Sequence, residues 1–438
     1  MLAFYLETDI ARTQRVNAMN ETEEFLEDYT NQPVPKDKLI GWSGLALVII
    51  SVFISLPAYL QGIQLGQALG FYKSLMAFVT GSVILMIIGC FCGIVGARTR
   101  LSTYMITPYA FGIRGAKFVN IIVSITIFGW FGVVLAEFSE AVLASLQMLD
   151  IHFSDNLALL SAVGCFLMLV IAILGFKGLN LLANLVTPLL LFSSVMVIYL
   201  AIESVGFTAI TAPRIQTMSL GNAISTVVGS MVVGMVIFPD YSRYARSTKH
   251  AVAGAVISLS LLPVVLMSAS MPGLATGETE LVSIVVAMGF GISALLVIIF
   301  AAWTTNSSNL YVATLSLSTV FKVQKSWYLT VICGFLGYII AILGISDHLI
   351  PFLILLGVAI PPIGAIYVVN FFIFNSGLYT PSLLSNSSLV CYRAFTAWGL
   401  ASLVAYLSAN GWISLTGIAS IDSIFVATFV YYCLKKFV

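Results

Sequence analysis

From residue 40 to the C-terminus the chain is a succession of apolar stretches, each long enough to cross a bilayer. A spanning helix takes about 20 such residues. A window of about 19 residues finds them near 40–69, 72–97, 118–147, 157–176, 179–203, 219–241, 250–274, 284–319, 328–345, 349–374, 393–411 and 416–435. The eighth is long enough to hold a break or a cytoplasmic extension. Only 8% of the residues are charged, against about 25% in a soluble domain, and mean hydropathy is +1.06. Water-facing surface needs charge that this chain lacks. A soluble enzyme, a nucleic-acid binder and a disordered scaffold are therefore excluded, and the expected fold is an all-α integral membrane protein with twelve transmembrane helices. Residues 1–39 are polar, with Glu21, Glu23, Glu24, Glu27 and Asp28 in one run. They read as a solvated N-terminal tail and not as a cleaved signal. Cys90, Cys92, Cys165, Cys333, Cys391 and Cys433 are scattered. Cys90 and Cys92 lack the second pair that a zinc site needs, so all six read as small buried hydrophobes.

Lysine and arginine set the orientation, because short cytoplasmic loops are enriched in them. With both termini inside, seventeen fall on the cytoplasmic side and only Lys73 and Arg214 on the other. One span added or lost would invert every later loop and destroy this asymmetry. Both termini are therefore expected in the cytoplasm of a cell carrying the protein in its inner or plasma membrane.

Three places depart from plain lipid-filling helix. In the first span, Pro57 within Ser55–Gly62 removes a backbone bond and frees a carbonyl upstream. Freed groups at membrane depth need protein, water or a ligand; the plainer alternative is a kink packed by its neighbours. In the sixth span Gly229, Ser230 and Gly234 mark an interruption, or else simply allow close helix packing. Interruptions in spans one and six are the pattern of a five-plus-five inverted repeat with two peripheral helices, although no residue-level repeat is visible between the halves. The third place is Ala301-Ala302-Trp303-Thr304-Thr305-Asn306 in the eighth span. Thr304 and Thr305 share a face with the Ala301 carbonyl. With two carbonyls from a broken first helix they would make five oxygens, a fit for a hard monovalent cation such as sodium. The alternative is threonines bonding back to their own helix.

At these residues the chain resembles the nucleobase–cation symporter family, most closely its cytosine permease branch. The matching stretches, in family order over roughly residues 40 to 375, are Gly96-Ala97-Arg98-Thr99, Phe111-Gly112-Ile113, Gly129-Trp130-Phe131-Gly132, Gly229-Ser230, Asp240 with Arg243 and Arg246, Trp303-Thr304-Thr305-Asn306 and Ala359-Ile360-Pro361-Pro362-Ile363-Gly364. The resemblance implies an importer of a nucleobase or related heterocycle with sodium or protons. It implies a ten-helix transport core at 40–375 and two peripheral helices at 376–438. It makes Trp130 the indole on which the flat ring stacks, Asn306 the amide that reads its edge, and the Gly229-Ser230 backbone part of the helix-six break. Ser55, Ala58 and Ala301 would bind sodium through carbonyls, Thr304 and Thr305 through hydroxyls.

Two departures bear on the substrate. Where the cytosine permease pattern has a glutamine three residues before the tryptophan, this chain has Ile127. Where it has a second aromatic after Gly-Ser, this chain has Met231, whose sulfur still packs on a ring. Losing the amide argues against cytosine, since a site that reads hydrogen bonds discriminates by large factors. Glu137 and Glu140 lie within the third span, and Glu137 is two turns beyond Trp130 on the same face. An intramembrane carboxylate is a functional candidate, here for a cationic substrate group or a proton; the alternative is that both lie at the outer water interface. Asp240 with Arg243 reads as a structural or gating pair, and His152, His250 and His348 fall in loops.

The expected function is secondary active import of a planar nitrogen heterocycle by sodium symport with alternating access. No organic cofactor, no nucleic acid and a monomer in the bilayer are expected. A proton-coupled importer of a vitamin precursor or ureide is the alternative within the class. A nutrient sensor that binds without accumulating substrate is the alternative outside it. A channel would need a continuous polar pore and an enzyme a His, Ser or acid cluster at one depth, and the sequence offers neither.

Overall fold

In the computed structural model, the residues described are 29, 32–151, 156–279, 284, 287–288, 291–321, 327–345, 356, 358–379, 383–384, 388–413 and 415–437. Most of the 1–39 tail with its acidic run lies outside them, as do Lys322, Lys325, His152, His348 and parts of the eighth and tenth stretches. Among the described residues the regular elements are all helices, with no strand beyond a single bridge between Ile40 and Ala245.

The first apolar stretch is two helices. α1 spans Trp42–Phe53 and α2 Leu56–Thr99. Between them Ile54 (φ −78°, ψ 84°) and Ser55 (φ −135°, ψ 157°) are non-helical. Pro57 follows in the first turn of α2, where its missing N–H costs nothing. Gly70 (φ 71°, ψ 177°) then kinks the chain inside α2, in a backbone conformation that L side chains rarely adopt. The first two expected spans thus meet at Gly70. α3, Thr103–Phe111, leads into α4, Ile113–Met148, the third span. α5, Leu157–Ile173, and α6, Gly175–Val205, carry the fourth and fifth.

α7, Leu220–Val236, corrects one expectation. It runs unbroken through Gly229, Ser230 and Gly234. The helix ends instead at Ile237 (φ −90°, ψ 9°), ahead of a one-turn helix Pro239–Ser242. Glycine and serine keep their N–H groups and can stay in a helical ladder; Pro239 cannot donate, so the irregularity falls there. α8 is Thr248–Thr276, α9 Gly291–Phe321, α10 Trp327–Ile342 and α11 Pro361–Val369. A π turn, Asn370–Phe374, prolongs α11. α12, Tyr392–Ala409, and α13, Ala419–Phe437, close the chain. His250 lies in the first turn of α8, its Nδ1 3.0 Å from Ser247 Oγ, rather than in a loop.

Among the described residues, five helices are long and apolar enough to cross a membrane by length and composition alone: Pro57–Thr99, Ile113–Met148, Gly175–Val205, Leu220–Ser242 and Thr248–Thr276. Close packing depends on small residues. A Cβ at Gly62 or Gly66 of α2 would collide with the Leu266 carbonyl or Ser270 of α8, so these glycines let two backbones approach as in membrane helix pairs generally. Polar cross-links join α4 to α9, where Ser124 and Ser316 hydroxyls lie 2.5 Å apart. Outside this core, α12 and α13 pack on each other and against α11; Trp398 donates to the Ala359 carbonyl (2.7 Å) and Asn370 to the Tyr431 hydroxyl (2.8 Å).

The segment before α1 is strapped across one end of the bundle. Val34 N–H donates to Arg100 O (3.1 Å), Ile40 N–H to Tyr244 O (2.7 Å), and Arg246 N–H to Ile40 O (3.0 Å). Arg243 is fully buried beneath it, donating to the Tyr29 carbonyl (2.9 Å) and the Tyr311 hydroxyl (2.8 Å), with its guanidinium 4.9 Å from the Tyr244 ring centre. Asp240 accepts the Thr103 N–H at 2.7 Å through its carboxylate, and its backbone carbonyl accepts from Arg243 Nε at 3.2 Å.

Candidate substrate and cation site

A cavity of about 90 Å³ lies between α1, the break that follows it, α4, α7 and α9. α4 contributes Ile127, Trp130 and Val134, spaced three and four residues apart so that they share one face. α7 and its C-terminal turn contribute Ser230, Met231, Gly234, Phe238 and Tyr241 among others; α1 contributes Ile49, Val52 and Phe53, the break Ser55 and Pro57, and α9 Thr305 and Asn309. The walls are mostly apolar, with hydroxyls and one amide as the polar points. An apolar cavity of about 150 Å³ holds a benzene. A ring therefore enters this smaller space only as side chains withdraw, and Met231 and Met235 are the flexible ones in the wall. A Cβ at Gly234 would meet nothing within 4 Å, so this glycine leaves open volume at the cavity instead of serving helix packing.

Of the expected substrate residues, Ile127, Trp130, Ser230 and Met231 line the cavity. Gly229 does not: a Cβ there would point toward Ser420 Oγ, 3.9 Å away. Asn306 does not either. It is fully buried, its Nδ2 donating to the Phe131 carbonyl (2.9 Å) and approaching Met168 Sδ (3.4 Å). Its Oδ1 accepts from Asn309 Nδ2 at 3.1 Å. The amide that faces the cavity is thus Asn309, four residues after Thr305 and on the same face, whereas Asn306 is rotated by about 100°. That spacing was the available signal. Gln61, which sequence reasoning did not single out, links two walls: it donates to the Thr226 carbonyl (2.9 Å) and accepts from Ser230 Oγ (3.0 Å).

Beside the cavity, hydroxyls of α9 meet the open end of α1. Thr304 Oγ1 lies 3.0 Å from the Ala301 carbonyl and 3.2 Å from that of Ser51. Thr305 Oγ1 lies 3.3 Å from both the Ser51 and the Val52 carbonyls. Three of the expected oxygens, from Ala301, Thr304 and Thr305, therefore converge. The helix-one carbonyls they face are those of Ser51 and Val52, not of Ser55 and Ala58. The reason is local: in a continuous helix Ser51 and Val52 would bond N–H groups four residues on, beyond the break, whereas the Ser55 carbonyl already accepts the Tyr59 N–H (3.1 Å). Ala58 is buried within α2. Neutral carbonyl and hydroxyl oxygens suit a hard monovalent cation. Among the described residues there is no cluster of His, Cys, Asp and Glu for a transition metal.

An apolar helical bundle with a cavity bounded by a broken helix is the architecture of a membrane transport protein. The model of the family of permeases for cytosine/purines, uracil, thiamine and allantoin matches residues 33–432, and the chain belongs to that family. It is therefore a permease and not an enzyme. The cytosine permease of Escherichia coli K12 is 26% identical over 411 residues, covering 93% of this chain and 94% of the relative. Among solved structures, the nucleobase-cation-symport-1 transporter Mhp1, closed with bromovinylhydantoin bound, superimposes with a TM-score of 0.82 at 18% identity, covering 93% of this chain and 94% of that one. A Na⁺-coupled sialic acid symporter superimposes at 0.67 with 12% identity, covering 96% of each chain.

Proposed function

We propose that the protein imports a nucleobase or related planar heterocycle together with sodium by alternating access. Twelve crossings would enclose a five-plus-five core at 40–375, with 376–438 peripheral, 1–39 cytoplasmic and both termini inside. The ring stacks on Trp130, Met231 packs on its other side, and Asn309 and Ser230 address its edge. Ser230 Oγ spends its proton on Gln61 or on the Val227 carbonyl, so it offers the substrate an acceptor. Sodium lies among the Ser51, Val52 and Ala301 carbonyls and the Thr304 and Thr305 hydroxyls. The observation that carries this reading is the pair of α9 hydroxyls aimed at the carbonyls freed at the end of α1, one of them on the cavity wall.

The ion's part follows from geometry. The break and α9 belong to different helices, and a cation between their oxygens joins them in one arrangement while favouring no other. A ligand shifts a conformational equilibrium only by its differential affinity for the two states, and this site exists only where α1 and α9 are apposed. The test is uptake of a panel of radiolabelled heterocycles by proteoliposomes, with sodium or choline outside. Accumulation that requires sodium is expected. Accumulation indifferent to the exchange removes this site as the coupling site, and binding without accumulation identifies a sensor.

A further inference from the structure

The cavity-lining residues of α4 recur at 127, 130 and 134, and the next position on that face is Glu137. Its carboxylate oxygen Oε2 is shut off from solvent and has no hydrogen-bond partner among the described residues. Ionised carboxylates are not left this way without reason: a buried charge needs a counter-charge or hydrogen bonds. The four helices packed most extensively on α4 supply none, and α2, which also touches it, carries only Lys73 and, at its far, C-terminal end, Arg98. α3, α5, α9 and α10 contain no lysine or arginine, and no further acid, anywhere along their described lengths. On α4 itself the cations, Arg114 and Lys117, are about 30 Å away along the axis, and the nearest charge is another carboxylate, Glu140. The two cations assigned to the outer side are engaged elsewhere. Arg214 donates to Gln67 Oε1 (2.6 Å) and the Leu274 carbonyl (2.8 Å), and Lys73 to Gln216 Oε1 (2.7 Å).

We propose that Glu137 is the subsite for a positively charged substituent of the substrate, which is then a planar ring bearing an ammonium or amidinium arm. The inference rests on the reading of Trp130 as the stacking platform. Glu137 lies about 10 Å above Trp130 along α4, and Cα–Cβ bonds lean toward a helix N-terminus, so its side chain leans back over Val134 toward the ring. An arm of a few bonds closes the remaining gap. The wall beside the ring complements this: Ile127 offers no hydrogen bond, so polar discrimination shifts from the ring edge to the arm.

The experiment compares aminomethyluracil with hydroxymethyluracil, the same ring with an ammonium or a hydroxyl on an identical arm. Equilibrium binding of each to the full-length purified protein is measured for the parent, Glu137→Gln and Trp130→Ala. Affinities are compared as ratios within one preparation, so an inactive fraction cancels. The parent should favour the ammonium member by about tenfold or more, the scale of a charge-assisted contact. Glu137→Gln should bring the ratio close to one, the loss falling on the ammonium member. No preference in the parent, or a preference that survives Glu137→Gln, overturns the proposal. Unchanged binding ratios with accumulation abolished in Glu137→Gln would make the carboxyl a proton carrier and overturn it equally. Trp130→Ala separates the two layers: if it weakens both members while Glu137 proves irrelevant, only this inference falls. Binding of both that ignores Trp130, or no binding of either, sinks the proposed function itself.

Discussion

The two asparagines of α9 should part company under mutation. Asn306→Ala removes a hydrogen bond to the Phe131 carbonyl at 2.9 Å, a longer contact to Met168 sulfur, and the acceptor for Asn309 at 3.1 Å, all at a fully buried position. Each neutral bond is worth about 1 kcal/mol net. Water from the cavity can replace the partner of Asn309 but not the donor at Phe131. The cost is therefore about 2–3 kcal/mol of stability, counting a small void where the amide was. Asn309→Ala loses one bond at a position open to the cavity, about 1 kcal/mol of stability at most. It instead leaves a polar edge of the bound ring unpaired, at about 1–3 kcal/mol, or roughly 5- to 150-fold in Kd.

Thermal unfolding of purified protein and competition by a heterocycle panel read these two quantities separately. Asn306→Ala should lower the apparent Tm by a few degrees, with binding retained below the transition. Asn309→Ala should do the reverse. Asn306→Ala that keeps its Tm and loses binding, beside an innocuous Asn309→Ala, would put Asn306 at the substrate and refute the assignment from helical phase.

Further outcomes test the platform and the ring edge. Trp130→Ala should cost about 1–3 kcal/mol of substrate binding, the scale of base–aromatic stacking, and Trp130→Phe less; normal affinity in the alanine variant would place the ring elsewhere. Cytosine should compete weakly, because beside Ile127 and Met231 it buries polar groups at about 1–3 kcal/mol each without partners. Ile127→Gln with Met231→Phe should shift preference toward it, and tight cytosine competition in the parent would show that Asn309 and Ser230 suffice to read the base.

Physical rules and family template diverged at particular residues. The apolar runs and the break at Pro57 were legible because lipid forbids charge and proline forbids a bond. The proline argument frees one carbonyl, that of Phe53; the non-helical Ile54 and Ser55 leave those of Ser51 and Val52 facing the threonines, whereas the template pointed to Ser55 and Ala58. Gly229 and Ser230 misled because glycine permits a break without requiring one; the ladder that continues through them is decided by packing, which no local pattern encodes. Asn309 was hidden for a different reason. Two asparagines three residues apart lie on neighbouring parts of a helix surface, and only the direction of α4, which takes the Asn306 amide at Phe131, determines which of them the cavity receives.

Thr305 and Val52 connect the two halves of the proposed cycle, because each belongs to both. Their side chains line the cavity, while the Thr305 hydroxyl faces the Val52 carbonyl at 3.3 Å. A cation drawing those two oxygens toward itself also sets the position of the wall against which the ring lies. Linkage then requires reciprocity: the factor by which sodium tightens substrate binding is the factor by which substrate tightens sodium binding. Thr305→Val keeps the volume and deletes the hydroxyl. It should weaken sodium and substrate together and shrink that factor toward one, with typical couplings of about 1–3 kcal/mol to lose. Thr304→Ala offers the contrast, since Thr304 is absent from the cavity wall yet lies within reach of the Ala301 and Ser51 carbonyls; it should raise the sodium concentration needed for half-maximal uptake while substrate affinity at saturating sodium stays near that of the parent. Measuring substrate Kd across a sodium titration in the two variants distinguishes them. Identical behaviour of the two would mean that the ion acts through α1 alone, and that the shared wall does not carry the coupling.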